Sequence, residues 1–198
     1  MSRCKQLGMS LVEMMVVLVI LAMLLTWGAT SFSRWIQNLK VRAAAESLVY
    51  GLQLARSEAI KRNALVYFSL VDKLGSGCSQ IATGSDQATW NWIIGSGDPV
   101  GLACADPEES NGIIQSRPNA EAGGDIRVNA SLAALRFDGL GRTSTAAASF
   151  LVSKGGSTAC SGDDQGIRCL SVVVSSPGGQ IKLCDPQVTA ASDPRKCD

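Results

Sequence analysis

Glu13 is an ionisable residue inside a stretch whose other side chains avoid water. Every residue from Met14 to Leu25 is apolar, and the wider apolar stretch runs from Leu11 to Ala29. Its length is close to the about 20 residues that a helix needs to cross a bilayer. A charged group in a membrane costs about 2.5–3.5 kcal/mol on insertion scales, so it usually has a partner or a function. Glu13 therefore predicts a partner group or a specific function within this apolar stretch.

Cysteines form the second set of reactive residues. Cys4 lies close to the amino terminus, and six others follow. The six cysteines after Cys4 are an even number, which is typical of a disulfide framework in an oxidising compartment such as the periplasm. Many connectivities are open, and we expect the sequential one because each bond then closes one polar loop. The expected pairs are Cys78 with Cys104, Cys160 with Cys169, and Cys184 with Cys197.

Other patterns favour neither a metal site nor catalysis. The chain contains no histidine and no C-x-x-C pair, which argues against zinc. Four acidic residues gather in one loop, but their spacing does not match a calcium loop, so solvated acids are the favoured interpretation. These residues are Asp98, Asp106, Glu108 and Glu109. The sequence also lacks a G-x-S-x-G elbow and a Walker loop, and we therefore expect no enzyme, no cofactor and no metal.

A long helix must position Glu13. Between Ser31 and Arg62 the sequence has no proline, Gly51 is its one glycine, and apolar residues recur at spacings of three and four, as on one face of a helix. These residues are Val41, Ala45, Leu48, Leu52, Ala55 and Ala59. We predict one helix from about Ser10 to Arg62. The alternative is two helices joined between Gly28 and Ser33.

After Ala64 the pattern changes to short strands separated by turn residues. Their mixed alternation predicts antiparallel sheets, with hairpin-like turns at Asp138-Gly139 and at Pro177 to Gly179. The predicted strands are Leu65 to Val71, Thr89 to Ile94, Gly112 to Gln115, Ile126 to Val128, Leu135 to Phe137, Ser149 to Val152, Leu170 to Ser175, and Gln180 to Cys184.

Length and charge limit the domain organisation. The chain has 198 residues and a formal net charge of +1, so it carries no global basic field for nucleic acid. We expect an α+β protein with one compact domain after its amino-terminal segments. The predicted segments are 1–8, a short basic segment; 9–30, the apolar half of the helix, long enough to span a membrane; 31–62, its amphipathic half; and 63–198, a β-rich head.

The amino-terminal residues resemble the class III leader of type IV pilins and type II secretion pseudopilins. The leader MSRCKQLG is short and basic and ends in Gly8, and Glu13 is the fifth residue after it. The resemblance implies that a prepilin peptidase cuts between Gly8 and Met9 and methylates the amine of Met9, and that Glu13 neutralises an amine during docking. Met9 replaces the usual phenylalanine, and no proline interrupts the span. An ordinary secretory signal, or a plain signal anchor, is the alternative.

Further segments are similar to the FimT/FimU and GspH group of minor pilins and pseudopilins. They are LQLARSEAIKRN from Leu52, WNWII from Trp90, LRFDGLGR from Leu135, and SVVVSSPGGQIKLCD from Ser171. The resemblance implies a type IV pilin-like fold, in which a long amino-terminal helix packs against antiparallel β-sheets. It also implies a single span in the bacterial inner membrane with the head in the periplasm, followed by assembly into a surface filament. The implied partners are other minor and major pilins, prepilin peptidase and the inner-membrane assembly platform.

Three functions follow from this resemblance. The favoured one is a minor pilin that helps to initiate a type IV pilus and enters it, in support of twitching motility, adhesion or DNA uptake. The first alternative is a GspH-like pseudopilin of a type II secretion system. The second is a DNA-binding minor pilin, because some relatives bind DNA through a basic turn near the carboxyl end. The matching turn here retains only Lys182, and Arg195 and Lys196 lie nearby in the tail, so we expect weak contacts to phosphate at most.

Tryptophans complete the candidate residues. Trp90 and Trp92 share one face of a predicted strand; they could stack on bases, but such indoles are more often buried. Trp27 and Trp35 bracket the end of the apolar stretch, where tryptophans commonly anchor a helix at the membrane interface.

Overall fold

The computed structural model describes residues 10–75, 77–98, 112–119, 125–144, 146–156, 160 and 167–197, and of residues 25–31 the backbone only. The chain divides into two units, Met1–Ile36 and Gln37–Asp198. Helix α1 spans Leu11–Arg62 as one element. The single predicted helix is therefore confirmed, and the alternative of two helices joined between Gly28 and Ser33 is wrong.

The predicted apolar stripe of α1 is the face that packs on the sheets. All six predicted residues are at most 1 % exposed, and they belong to the main hydrophobic core with Phe68, Trp92 and Phe150. Small residues on this face let the helix backbone approach the sheet closely. A Cβ atom on Gly51 would lie 3.0 Å from Cε2 of Phe68 and 3.1 Å from the indole of Trp92.

On the opposite, exposed side of the helix, ion pairs join residues one turn apart. Arg42 Nε lies 2.7 Å from Glu46 Oε1, and Arg62 Nε lies 2.8 Å from Glu58 Oε2. Such pairs add only a few tenths of a kcal/mol each to helix stability.

A Schellman motif ends α1. Asn63 has a positive φ of 48°, its N–H donates to the carbonyl of Ile60 at 3.2 Å, and the N–H of Ala64 donates to the carbonyl of Ala59 at 3.2 Å. Asparagine tolerates the left-handed conformation better than most residues with a side chain. The last residue of the LQLARSEAIKRN segment is thus the one that stops the helix.

We expect Asn63→Val to destabilise the protein by about 1–3 kcal/mol, because a β-branched residue is strained at positive φ. Asn63→Gly should be close to neutral, since glycine adopts this conformation without strain. Urea unfolding of the purified chain, followed by near-ultraviolet circular dichroism, measures both. Equal stability of the two variants would contradict the capping role.

Nine strands lie in the described residues, and every pair of neighbouring strands is antiparallel, as predicted. A four-stranded sheet has the order β4-β3-β1-β6, and a five-stranded sheet has the order β2-β5-β7-β8-β9. Their bounds are β1 Val66–Val71, β2 Asp86–Gln87, β3 Asn91–Gly95, β4 Ile113–Pro118, β5 Ile126–Ala130, β6 Ala134–Phe137, β7 Ala148–Lys154, β8 Leu170–Val174 and β9 Ile181–Cys184.

Each of the eight predicted strand regions contains a strand, and one strand was missed. Asp138-Gly139 lies in the expected hairpin-like turn, because Phe137 and Thr143 form an antiparallel bridge across it. Beyond this bridge the chain changes sheets, since β6 pairs with β1, whereas β7 pairs with β5 and β8. Strand β2 was missed because its two residues are polar and show no alternation. The turn from Pro177 to Gly179 does join two paired strands, β8 and β9.

The core lies between α1 and the inner faces of both sheets. Phe68 of β1 and Phe150 of β7 make an edge contact with their ring centroids 6.2 Å apart. Both rings are fully buried. Because these residues come from different sheets, their contact joins the two halves of the head.

Arg56 connects three segments that are far apart in the sequence. Its Nε donates to the carbonyl of Gly141 at 3.0 Å, and its Nη2 donates to the carbonyl of Gly178 at 3.4 Å. Gly141 has a positive φ of 73°, and a Cβ atom there would lie 2.8 Å from Cδ1 of Ile60. Three of the four segments that carry the family resemblance therefore meet at one side chain of α1.

We expect Gly141→Ala to destabilise the protein by about 2–3 kcal/mol, through backbone strain and the close approach of α1. Gly84→Ala is a matched control, because Gly84 has nearly the same φ of 71° but no atom within 4 Å of a Cβ there. The control should lose only about 1 kcal/mol. Urea unfolding separates the two contributions, and equal losses would refute the close contact with α1.

Candidate functional site

The amino-terminal end of α1 carries the predicted assembly carboxylate. The helix begins at Leu11, and the N–H of Met14 donates to the carbonyl of Ser10 at 3.2 Å. Ser10 is thus at the position of the N-cap, and Glu13 is the third helical residue. This is the S-x-x-E spacing of a capping box, a local signal that the sequence analysis missed. A carboxylate in the first turn is also stabilised by the helix dipole.

Most of the side chains that follow Glu13 are apolar and face outward. The large ones from Leu11 to Leu24 are 47–77 % exposed. A continuous apolar surface of this kind marks a site of interaction with another protein or with lipid. Among the described residues, no helix has the length and apolarity needed to cross a membrane. The predicted span within 9–30 stays a prediction.

Several predicted features of this region cannot be placed. Gly8 and Met9 lie outside the described residues, so their cleavage and methylation stay predictions. The side chain of Trp27 also lies outside them. Trp35 is 57 % exposed, and its ring centroid lies 5.7 Å from that of Phe32. This exposure is compatible with the anchoring expected of Trp35, which nothing in the structure tests.

Disulfide bonds restrain the head. They join Cys160 to Cys169 and Cys184 to Cys197, two of the three expected pairs. Cys78 is also disulfide-bonded. Its expected partner, Cys104, lies outside the described residues.

The bond between Cys184 and Cys197 holds the tail against the end of β9. Next to it, the N–H of Asp185 donates to the carbonyl of Arg195 at 2.7 Å, and Asp185 forms a bridge with Lys196. Lys182 lies on β9 and is exposed. The structure therefore brings the two basic residues of the tail to the strand that carries Lys182.

An acidic neighbour offsets one of these charges. Arg195 Nη2 lies 2.7 Å from Asp193 Oδ2, and Arg195 Nε lies 3.1 Å from Asp193 Oδ1. Hydrogen bonds from Arg195 lower the pKa of Asp193 to about 2, and the same pair raises the pKa of Arg195. Both charges are thus present at neutral pH and cancel locally. This pairing weakens the tail as a contact for phosphate groups.

The tryptophan pair belongs to the core. Trp90 and Trp92 are 2 % and 1 % exposed, so their predicted burial is confirmed. The Nε1 of Trp90 donates to the carbonyl of Ile126 at 3.3 Å, and the Nε1 of Trp92 donates to Ser47 Oγ at 3.1 Å. Buried rings with satisfied N–H groups offer no platform on which bases could stack.

The acidic loop is described only at Asp98, because Asp106, Glu108 and Glu109 lie outside the described residues. Within the described part of the chain, no group of three acidic or cysteine side chains could hold a metal ion.

Comparison with known protein families assigns the chain to one of them. Residues 3–29 match the model of the prokaryotic N-terminal methylation motif, and residues 44–188 match the model of the type II transport protein GspH. The chain belongs to the GspH family. The expected resemblance to the FimT/FimU and GspH group of type IV minor pilins and pseudopilins is thereby confirmed. No match was found among curated proteins.

Solved structures share the fold of this GspH family chain. Two crystal structures of the type IV minor pilin FimU from Pseudomonas aeruginosa, strain PAO1, are similar to it. One has 16 % sequence identity and a TM-score of 0.50, and the match covers 80 % of this chain and 98 % of that one. The other has 18 % identity and a TM-score of 0.47, over 76 % and 98 % of the two chains. The type IV pilin-like α+β fold is confirmed.

The family assignment includes the amino-terminal part of α1. The methylation motif covers Gly8, Met9 and Glu13 together. Membership in the GspH family implies interaction with other pilins in a pilus or pseudopilus.

Proposed function

We propose that the chain is a minor pilin that helps to initiate a type IV pilus and is incorporated into it. The observation that supports this most directly is the exposed apolar surface of α1, with Glu13 in its first turn inside an N-terminal methylation motif. A subunit of this design works by packing, without turnover of a substrate. The similar fold of FimU, a type IV minor pilin, is consistent with the proposal.

Pairing of opposite charges is the proposed mechanism of docking. Prepilin peptidase cuts between Gly8 and Met9 and methylates the new amine. Before assembly, α1 is held in the inner membrane with the head in the periplasm, where the disulfides persist. In the filament, the carboxylate of Glu13 faces an amine of a neighbouring subunit. The two charges attract strongly because the surrounding helices exclude water.

A pseudopilus of a type II secretion system is the second candidate. It is favoured by the description of the matched family, type II transport protein GspH. The exposed helix and the motif serve both assemblies equally well, so the distinction needs a cellular experiment. DNA binding through Lys182, Arg195 and Lys196 gains no support, because Arg195 is paired with Asp193.

A deletion strain separates the two candidates. We expect electron microscopy to show few or no type IV pili on cells without the gene, and a plasmid copy to restore them. Secretion of enzymes through the type II system, measured in the culture medium, should stay unchanged. Normal piliation with a loss of secretion would overturn the proposed role in a type IV pilus and favour the role in a pseudopilus. Normal results in both assays would contradict both candidates.

A further inference from the structure

An exposed apolar patch lies where α1 ends. Its two members are Leu140, whose side chain is 68 % exposed, and Ile60, which is 50 % exposed, and we call them the Leu140 patch. They are neighbours because the turn that carries Leu140 packs on the last turn of the helix. A Cβ atom on Gly141 would lie 2.8 Å from Cδ1 of Ile60. A Cβ atom on Gly139 would lie 3.0 Å from Cα of Asn63.

Hydrogen bonds fix the turn that displays Leu140. The carboxylate of Asp138 accepts from the backbone N–H of Leu140 at 3.0 Å and from that of Arg142 at 2.9 Å. The N–H of Gly141 donates to the carbonyl of Asp138 at 2.8 Å, and Arg56 donates to the carbonyl of Gly141. A preorganised turn loses little conformational entropy when a partner covers it. The fold therefore holds an apolar side chain in water at a defined position, which is typical of a site of interaction.

Basic side chains outnumber acidic ones in the two segments that form the patch, 56–62 and 138–142. One carboxylate, that of Glu58, is shared between Lys61 at 3.4 Å and Arg62 at 2.8 Å. The guanidinium of Arg56 donates to two backbone carbonyl groups. The surplus of positive charge favours a partner that brings carboxylates. The charged residues of the two segments are Arg56, Lys61, Arg62 and Arg142 against Glu58 and Asp138.

Two other kinds of partner fit these properties less well. A symmetric dimer would place the patch of one chain against the same patch of another, so the surplus positive charges would face each other. Nucleic acid would supply negative charge, but contacts to phosphate groups leave the apolar patch uncovered. A protein surface with both apolar and acidic side chains matches both properties.

We propose that the Leu140 patch docks onto the head of a neighbouring, different pilin subunit, at a surface where acidic side chains surround an apolar one. The proposal rests on the proposed function, since it requires that the chain enter a filament. Membership in the GspH family supports a pilin as the partner. The patch shares no residue with the exposed apolar stretch from Leu11 to Leu24 and adds a contact on the head.

Incorporation into filaments tests this contact. Immunoblots of cells that carry variant genes compare the amount of the chain in sheared filaments with the amount in membranes. Leu140→Glu removes the apolar side chain and brings a negative charge against the acidic partner, so incorporation should fall at least about tenfold. Leu140→Lys removes the same apolar side chain but keeps the charge match, so it should lose less. Equal losses in the two variants would contradict an acidic partner surface.

A control variant and a stability measurement exclude trivial causes. Ser149→Glu adds the same charge at an exposed position of β7, outside both segments, and should enter filaments like the wild type. Urea unfolding of the purified variants should give midpoints close to that of the wild type, because the side chain of Leu140 is mostly in water.

A photoreactive side chain identifies the partner without depending on the amount incorporated. Leu140→benzoylphenylalanine is expressed in the native host, and irradiation should join position 140 to a different pilin subunit. Mass spectrometry of the joined peptides should find acidic residues of the partner beside the cross-linked site. Cross-links to a second copy of this chain, or to no pilin, would overturn the proposal.

The wild-type chain separates failure of this inference from failure of the proposed function. Absence of the wild type from filaments would refute the proposed function and this contact with it. Presence of the wild type together with wild-type amounts of Leu140→Glu would refute only the contact at the Leu140 patch.

Discussion

Chains with Glu13→Gln are expected to be processed normally but to be missing from filaments. Glutamine has almost the same shape as glutamate, so the helix and its apolar surface remain, and only the charge that we propose to face a neighbouring amine is lost. Inside a packed bundle of helices, that amine would then be left without a counter-charge, at a cost of several kcal/mol. Incorporation should fall at least about tenfold, because each 1.4 kcal/mol changes an equilibrium by about that factor.

Filaments sheared from cells that carry the variant gene measure this effect. Immunoblots of the sheared fraction and of the membranes distinguish failed incorporation from failed synthesis. Glu13→Asp keeps the carboxylate on a shorter side chain and should retain part of the incorporation. Ser10→Ala is a second control, because it removes the N-cap hydroxyl and leaves the charge unchanged. Wild-type amounts of the Glu13→Gln chain in filaments would show that Glu13 serves only the local capping of α1.

Removing the bond between Cys184 and Cys197 is expected to destabilise the head by about 3 kcal/mol. The two cysteines are 13 residues apart in the sequence. Closing a loop of that length lowers the conformational entropy of the unfolded chain, and this stabilises the folded state by a free energy of about this size. The bond also holds Asp185 and Arg195 in contact at the end of β9. The paired variant Cys184→Ser with Cys197→Ser should therefore lose the order of the tail as well as stability.

A matched variant separates these two effects. Cys160 and Cys169 are 9 residues apart, so their loss should lower stability by a nearly equal amount and leave the tail at β9 unchanged. Urea unfolding measures stability, and amide hydrogen exchange at Asp185 and Lys196 reports on the tail. Mass spectrometry before and after alkylation counts the bonds. Free thiols at Cys184 and Cys197 in protein from its native host would contradict both the pairing and the periplasmic location.

Local patterns explain why so much of the fold could be predicted. The apolar residues of α1 recur with the helical period, and all six expected residues are buried. The strands of the head were located because apolar runs alternate with glycine, proline and asparagine at the turns. Prediction failed at β2, where two polar residues form a strand only because β5 lies beside them. The turn at Asp138-Gly139 was predicted, but its local signal did not reveal that the next strand joins the other sheet.

The candidate sites were predictable to different degrees. Glu13 could be recognised from the sequence because a charged residue within an apolar stretch is conspicuous whatever the fold. The charges of the tail were visible too, but the pairing of Arg195 with Asp193 was not considered.

By itself, the amino-acid sequence determined the long helix, its buried stripe, the acid near its amino end and the antiparallel strands. Each of these depends on neighbours within a few residues, so periodicity and residue type suffice to predict it. Only the tertiary structure decided which strands share a sheet and how Arg56 connects two distant turns. These features depend on contacts between residues far apart in the chain, and the energy of such contacts is set by shape and burial that no local pattern encodes.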